Sequence, residues 1–148
     1  MRGIDWSDSL SVGCDEVDAE HQALVRLINE CIALSQAGGE DDRIVAAVAR
    51  LIVFADRHFT NEEQVMEQAG YPDLERHSAA HKEAMQDLCR IGLKTGGVEL
   101  CRSVGEYLAS WFFAHAMTHD RELGRWLSLS SLACLWPEST GQHDARQP

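Results

Sequence analysis

The sequence predicts an all-α protein, an up-down-up-down four-helix bundle with an N-terminal arm and a short C-terminal extension. Apolar residues recur every three or four positions in four segments of about 20 to 30 residues, and no strand-like alternation lies between them. Three glycine-containing breaks separate the segments: Gly38-Gly39, Gly70-Tyr71-Pro72 and Gly96-Gly97. Because such short turns join antiparallel neighbours, a bundle is the simplest fold.

The first two helices each carry polar residues on an apolar stripe. The first is expected at about 18–37, with Asp18 as its N-cap and His21 at the start of its stripe. The second is expected at about 40–69 and places His58 and Glu62 at core positions. Histidine and glutamate therefore stand where a bundle normally keeps apolar side chains.

The third and fourth helices repeat this arrangement. The third, at about 73–95, has His77 and His81 on its stripe, and the fourth, at about 98–124, has His115. All four predicted helices thus direct at least one imidazole towards the core.

The ends of the chain lie outside this pattern. We assign residues 1–124 to the bundle and its N-terminal arm, with Trp6 as the anchor of the arm, and 125–148 to a C-terminal extension. Residues 125–136 form a weaker apolar stripe, expected as a short fifth helix that caps the bundle. The alternative is a docking surface for a protein partner or for self-association. The last twelve residues are expected to be disordered.

Composition excludes several classes of protein. The 148 residues carry 24 acidic and 13 basic side chains, a formal charge of −11, which disfavours nucleic acid and acidic membrane surfaces as partners. No apolar run approaches a membrane span and the N-terminus lacks the apolar middle of a signal peptide, so a cytoplasmic protein is expected. The five widely spaced cysteines favour neither a disulfide framework nor a zinc knuckle, and most are expected to be small buried hydrophobes.

The spacing of the polar core residues indicates a metal site. Residues four apart on a helix share a face, so His58 with Glu62, and His77 with His81, each direct two ligand atoms to one point. A single histidine on an apolar face is more often an ordinary core residue. Five imidazoles and a carboxylate buried without partners would cost several kcal/mol each, about as much as any buried polar group, and a metal offsets that cost.

The residue types exclude some metal proteins and leave the metal open. The HExxH motif of zinc proteases is absent, since Ser78 follows His77, and no Glu-x-x-His pair of the ferritin type occurs. A haem needs one or two axial histidines and would leave the others unexplained. Imidazoles with a few carboxylates suit iron, copper, nickel or zinc.

Four ordered motifs resemble those of the bacterial hemerythrins: VDAEHQAL, HFTNEE, HSAAH and WFFAHAMTHD, within about residues 4–124. This resemblance implies a non-haem di-iron centre that binds O2 reversibly, with an oxo or hydroxo bridge between the iron ions. One iron would take His77, His81 and His115, and the other His21 and His58. Glu62 and Asp120 would bridge the two.

Counting ligands under this resemblance leaves one open position. Two six-coordinate metals offer twelve positions, and the five imidazoles, two bridging carboxylates and one shared bridge occupy all but one, on the two-histidine iron. Leu24 and Trp111 match positions expected to line the O2 pocket. Ala116 stands where the family commonly has a bulky aliphatic side chain, so access to the open iron is expected to be wider.

Asp120 does not follow from helical spacing. It lies five residues after His115, about 140° away around an ideal helix, so a bridging role requires a local distortion. Glu63 is expected to be solvated or to support a ligand. His119 and His143 match no ligand position and are expected to be exposed.

The function expected from the resemblance is non-catalytic O2 binding, for storage, delivery or sensing. A sensor that acts through a partner is one alternative. A di-iron oxidase or peroxidase is the other. Weak activity of that kind is compatible with O2 binding as the main function.

Overall fold

A computed structural model describes residues 3–130 and confirms the all-α four-helix bundle. A short 3-10 turn in the N-terminal arm spans Asp8–Leu10. The helices are α1 (Asp15–Ala37), α2 (Asp41–Ala69), α3 (Leu74–Lys94), α4 (Gly97–His115) and α5 (Arg121–Leu129), with a π-helical segment, Ala116–Asp120, between the last two. No helix within residues 3–130 is long and apolar enough to cross a membrane.

The start of α1 differs from the prediction. The helix begins at Asp15, with Cys14 rather than Asp18 at the N-cap. The Asp18 carboxylate instead accepts hydrogen bonds from the Val12 amide at 2.9 Å and the Ser11 hydroxyl at 2.5 Å. Asp18 therefore fastens the arm to the first turn of α1, a role that spacing along one helix does not reveal.

Two glycines end α1 and α2. Gly38 and Gly70 adopt left-handed backbone conformations, with φ of 67° and 65°, which side chains with a Cβ rarely adopt. The Tyr71 amide then donates to the Met66 carbonyl at 2.9 Å and closes the end of α2. The predicted breaks at these positions are confirmed.

The fourth helix does not end at 124. Helix α4, the π segment and α5 follow one another without interruption from Gly97 to Leu129, so helical structure crosses position 125. Residues 131–136 of the expected fifth helix, the expected disordered tail and His143 lie outside the described residues.

The buried apolar side chains of the described residues form three clusters. The smallest, Val12, Cys14 and Val17, lies where the arm meets α1. The main cluster fills the space between α1, α2, α3 and α4, and a smaller cap cluster gathers at the α2–α3 turn under α5. The cap cluster consists of Val65, Met66, Tyr71, Leu123 and Leu127, with Trp126 packed against it. On α2, Phe59 belongs to the main cluster and Val65 to the cap cluster. His58 and Glu62 therefore lie in a buried polar layer where the main and cap clusters meet.

The N-terminal arm lies along the bundle, as expected. Trp6 packs against the main cluster, and the Ile4 amide and carbonyl each bond the Asn29 side chain at 2.8 Å. Further along, the Arg121 guanidinium donates to the Ser9 carbonyl at 2.5 Å. These contacts connect the arm to both α1 and α5.

The cysteines are mostly buried, as predicted. Cys31 and Cys101 are buried free thiols and Cys89 is an exposed one. Burial raises the pKa of Cys31 to about 12, so this thiol stays protonated and inert. Cys14 is also buried, and it is disulfide-bonded.

Candidate metal centre

All seven predicted ligand residues meet in the polar layer between the main and cap clusters. They come from α1 (His21), α2 (His58, Glu62), α3 (His77, His81), α4 (His115) and the π segment (Asp120), and each is buried. Their ligand atoms form two groups, in each of which all atoms lie within 4.8 Å of one another. The first holds three histidines with both carboxylates, and the second holds His21 and His58 with Glu62.

The three-histidine group has the dimensions of a metal site. The His115 Nε2 atom lies 2.9 Å from the His77 Nε2 atom and 3.1 Å from the His81 Nε2 atom. Two ligands at right angles, each about 2.1 Å from a metal, lie about 3 Å apart. The nitrogen atoms are therefore spaced like neighbouring corners of an octahedron around one ion.

The two carboxylates each face both groups. Glu62 Oε2 lies 3.2 Å from His81 Nε2, whereas its Oε1 lies 3.7 Å from His58 Nε2 and 3.9 Å from His21 Nε2. Asp120 Oδ1 lies 3.0 Å from His115 Nε2, and its Oδ2 lies 3.3 Å from His21 Nε2. One oxygen of each side chain thus points to the three-histidine group and the other to the two-histidine group.

The π segment brings Asp120 into the layer. A π turn closes between residues five apart, one more than in an α-helix, so Asp120 returns to the face of His115. The local distortion that the His115–Asp120 spacing requires is therefore present at the expected place. In an uninterrupted α-helix the same carboxylate would lie on the flank of the bundle.

The chemistry of the layer suits a bound cation. Several of its buried polar atoms have no hydrogen-bond partner: both ring nitrogens of His21, both oxygens of Glu62, His77 Nδ1 and Asp120 Oδ1. Buried polar atoms without partners are rare because each costs free energy. A cation between the two groups would engage the converging Nε2 and carboxylate atoms, so the residues fit a metal centre.

The ionisation of these residues leads to the same conclusion. Burial and the charge of Asp120 would raise the pKa of Glu62, but the neighbouring histidines outweigh them and lower it. Burial likewise opposes the ionisation of Asp120, yet His115 and its neighbours hold the Asp120 pKa well below its ordinary value. Burial lowers the pKa of His77, but the two carboxylates raise it to about 9. The carboxylates thus stay charged and require positive charge, which protons or a metal can provide.

Carboxylates outside the layer orient two of the imidazoles. His58 Nδ1 bonds Glu20 at 2.8 Å, and Asn61 donates to the other oxygen of Glu20 at 3.0 Å. His81 Nδ1 bonds Glu63 at 3.0 Å, in agreement with the supporting role considered for that residue. Such bonds fix the ring so that Nε2 faces a metal. No sequence pattern indicated a role for Glu20, because this side chain bonds a histidine of another helix.

Aromatic rings enclose the imidazoles. The Phe59 ring stacks on His81 with centroids 4.2 Å apart, and Trp111 stacks on His115 at the same separation. Phe112 meets His21 edge-on at 5.1 Å. Sequence reasoning assigned no site role to Phe59 or Phe112, although each is adjacent in sequence or in space to a histidine.

The three residues expected to line an O2 pocket lie at different places. Leu24 and Ala116 are buried members of the main cluster. Trp111 is half-buried and contacts His115 and His81, which belong to the three-histidine group. The expectation that His119 is exposed was wrong, since it is half-buried and stacks on His115 with centroids 4.9 Å apart.

Comparisons with known proteins agree on one family. The sequence model of one protein family, described as "Hemerythrin HHE cation binding domain", matches residues 12–127 of this chain. The bacteriohemerythrin of Ralstonia nicotianae is 31% identical over 131 residues, covering 86% of this chain and 91% of that protein. The myohemerythrin of Riftia pachyptila is 35% identical over 78 residues, covering 53% of this chain and 59% of that protein. The solved structure of a wild-type hemerythrin matches with a TM-score of 0.75 at 21% identity, over 84% of this chain and 98% of that one, a likeness of fold.

Proposed function

Since the chain belongs to the hemerythrin HHE cation-binding family, we propose that it holds two iron ions in the polar layer and binds O2 reversibly. The observation that best supports this proposal is the placement of Glu62 and Asp120, each with one oxygen towards each histidine group. Carboxylates placed in this way suit a pair of metal ions a short distance apart, whereas a single ion would leave one oxygen of each unused.

The ligands divide between the two ions according to the two groups. His77, His81 and His115 would hold one iron, and His21 and His58 the other. Glu62 and Asp120 would bridge them, together with an oxo or hydroxo group. The group with fewer histidines would keep the open position that a ligand-binding metal site requires.

An iron pair held there would supply the electrons and the open coordination position for O2 binding, and the protein supplies a fixed, dry site. Glu20 and Glu63 hold the His58 and His81 rings in orientation from the outer side. Phe112, against His21, and the buried Leu24 of the main cluster keep water away from the two-histidine group. Exclusion of water disfavours loss of reduced oxygen and irreversible oxidation of the metal.

The direct test is anaerobic reduction of the iron-loaded protein followed by admission of air. We expect two iron ions per chain and a new charge-transfer absorption band that disappears when O2 is removed. Conversion straight to a ferric spectrum, without a band that O2 removal reverses, would overturn reversible binding.

A pair of matched variants tests the ligand assignment. His58→Ala removes a ligand of the two-histidine group and should lower the iron content and abolish the O2-dependent band. His119→Ala changes a histidine close to the centre that is outside both groups, and should retain two iron ions. Equal iron content in the two variants would contradict the assignment.

Sensing is a second candidate, favoured by the connection between Asp120 and the arm. Asp120 ends the π segment, Arg121 bonds the Ser9 carbonyl, and α5 continues to Trp126 in the cap cluster. A change at the metal that moves Asp120 would therefore reach both the arm and α5. A redox-dependent change in tryptophan fluorescence or in hydrodynamic size supports sensing, and the absence of both favours storage or delivery.

A further inference from the structure

A surface groove between α3 and α4 reaches the three-histidine group through one side chain. The groove has a volume of about 740 Å³, and its lining includes Glu83, Asp87, Tyr107 and Trp111. Trp111 also stacks on His115, with centroids 4.2 Å apart and ring planes 17° from parallel. The indole ring is thus in contact with the groove on one side and with a predicted metal ligand on the other.

Tyr107 lies one helical turn before Trp111 and lines the same groove. Its hydroxyl donates a hydrogen bond to Asp87 Oδ2 at 2.9 Å. Burial, together with the bond to Asp87 and the charge of Glu83, raises the pKa of Tyr107, so the phenol stays protonated. The Asp87 carboxylate is therefore placed to take the phenol proton if the ring loses an electron.

We propose that Trp111 and Tyr107 form a path that carries electrons from small one-electron reductants in the groove to the oxidised metal centre. The proposal rests on the proposed di-iron function and adds a peroxide-consuming activity to it. Indole and phenol rings are the side chains most readily oxidised by one electron. Phe59 and Phe112 also contact the histidines, but their phenyl rings resist such oxidation.

An iron pair held by the two histidine groups would supply two electrons to one hydrogen peroxide, which with two protons becomes two waters. In each of two successive steps the indole of Trp111 gives up one electron and regains one from Tyr107. The phenol proton passes to Asp87 Oδ2 and from there to water, which replaces the two protons that the peroxide consumes. Two molecules of an aromatic amine or of ascorbate, arriving one after the other, each return one electron and one proton. The protein ends unchanged, and each reductant is left one electron short.

The chain contains its own controls. It has two tyrosines, and the second, Tyr71, is buried in the cap cluster against Trp126, with ring centroids 5.5 Å apart. Trp126 and Trp6 are half-buried like Trp111, but Trp126 packs on the cap cluster and Trp6 on the main cluster. Oxidation by diffusing oxidants would mark these residues according to exposure, whereas the proposed path marks Tyr107 and Trp111 first.

The experiment exposes iron-loaded protein to a few equivalents of hydrogen peroxide without reductant. Electron paramagnetic resonance then detects tyrosyl radical, and peptide mass spectrometry locates oxygen added to tryptophan and tyrosine. We expect a radical signal that is lost in Tyr107→Phe and kept in Tyr71→Phe, and oxygen addition several-fold greater at Trp111 than at Trp6 or Trp126. Metal-free protein should show neither the radical signal nor the added oxygen, and ascorbate should suppress both.

Trp111→Phe tests the order of the path. Phenylalanine retains a ring beside His115 but is not readily oxidised, so the Tyr107 radical signal should fall several-fold at equal iron content. An undiminished signal, equal marking of the tryptophans, or no radical in the wild-type protein would each overturn the path. A reversible O2 band that persists in Tyr107→Phe would show that the proposed function stands when the path fails.

Discussion

Gly124 is a position where a single methyl group should separate the N-terminal arm from α5. A Cβ atom built on Gly124 would lie 1.9 Å from the Val12 carbonyl oxygen and 2.9 Å from the Val12 carbonyl carbon. Both atoms belong to the backbone, so no side-chain rotation relieves the overlap. Ordinary contact begins near 3.4 Å, so Gly124→Ala requires the arm to move by about 1.5 Å, the difference between 3.4 and 1.9 Å.

The cost follows from what that movement disturbs. Overpacking of this kind costs about 1–3 kcal/mol, and the arm also carries buried Leu10 and Val12 and the bond from Arg121 to the Ser9 carbonyl. Alanine returns at most about 1 kcal/mol of helix propensity. The net expectation is a loss of about 1–3 kcal/mol in the free energy of unfolding.

The matched control is Gly92→Ala, the same change at an exposed position of α3. A Cβ at Gly92 meets nothing within 4 Å, so alanine should be neutral or stabilising by about 0.5 kcal/mol. Gly105→Ala is intermediate, because its Cβ would lie 3.0 Å from Ile32 Cγ1 on the facing helix α1. Urea unfolding of the iron-loaded proteins, followed by circular dichroism, should rank the midpoints Gly92→Ala, wild type, Gly105→Ala, Gly124→Ala. A Gly124→Ala protein as stable as wild type would refute the reasoning.

Three further predictions concern the metal centre. Glu20→Ala removes the bond to His58 Nδ1 and should weaken iron binding about 10–100-fold in a competitive chelator titration, whereas Glu30→Ala, an exposed change on the same helix, should leave the affinity unaltered. Because the pKa of His77 is raised from 6.5 to about 9, its contribution to the stability of the metal-free protein is complete below pH 6.5. That contribution, up to about 3 kcal/mol, should be lost as pH rises through 9. If the denaturant concentration at the unfolding midpoint does not decrease as the pH is raised from 6.5 to 9, this prediction is contradicted. Ala116→Ile should narrow access to the open iron and lengthen the lifetime of the O2-bound form in air, and an unchanged lifetime would show that position 116 does not control access.

The fold could be predicted from the sequence alone because the apolar residues of a helical bundle recur at a regular spacing. Apolar residues every three or four positions assign each helix and its inward face, and the glycines at 38 and 70 end helices by local backbone geometry. His58 and Glu62 were found by the same rule, since residues four apart share a face whatever the helix packs against. Properties that depend on one helix can be predicted from one helix.

Other properties depended on neighbours distant in the chain. Asp18 was expected to cap α1, but its carboxylate bonds the arm, because the fold brings Val12 against it. Glu20 bonds His58, 38 positions away, and no residue spacing within α1 predicts that partner. Asp120 reaches the polar layer only because the backbone between His115 and Arg121 adopts a π turn. Helical spacing alone does not predict this turn; the need for a distortion between His115 and Asp120 followed from the family resemblance.

The sequence by itself determined that four helices bury histidines and a carboxylate on their inner faces, since helical periodicity is a local property of the chain. Only the tertiary structure decided how those side chains divide. The packing of α1 against α2, and of α3 against α4, sets two nitrogen groups apart, and Glu62 and Asp120 direct one oxygen to each. The distances between side chains on different helices depend on packing, and the proposal of two metal ions rests on these distances.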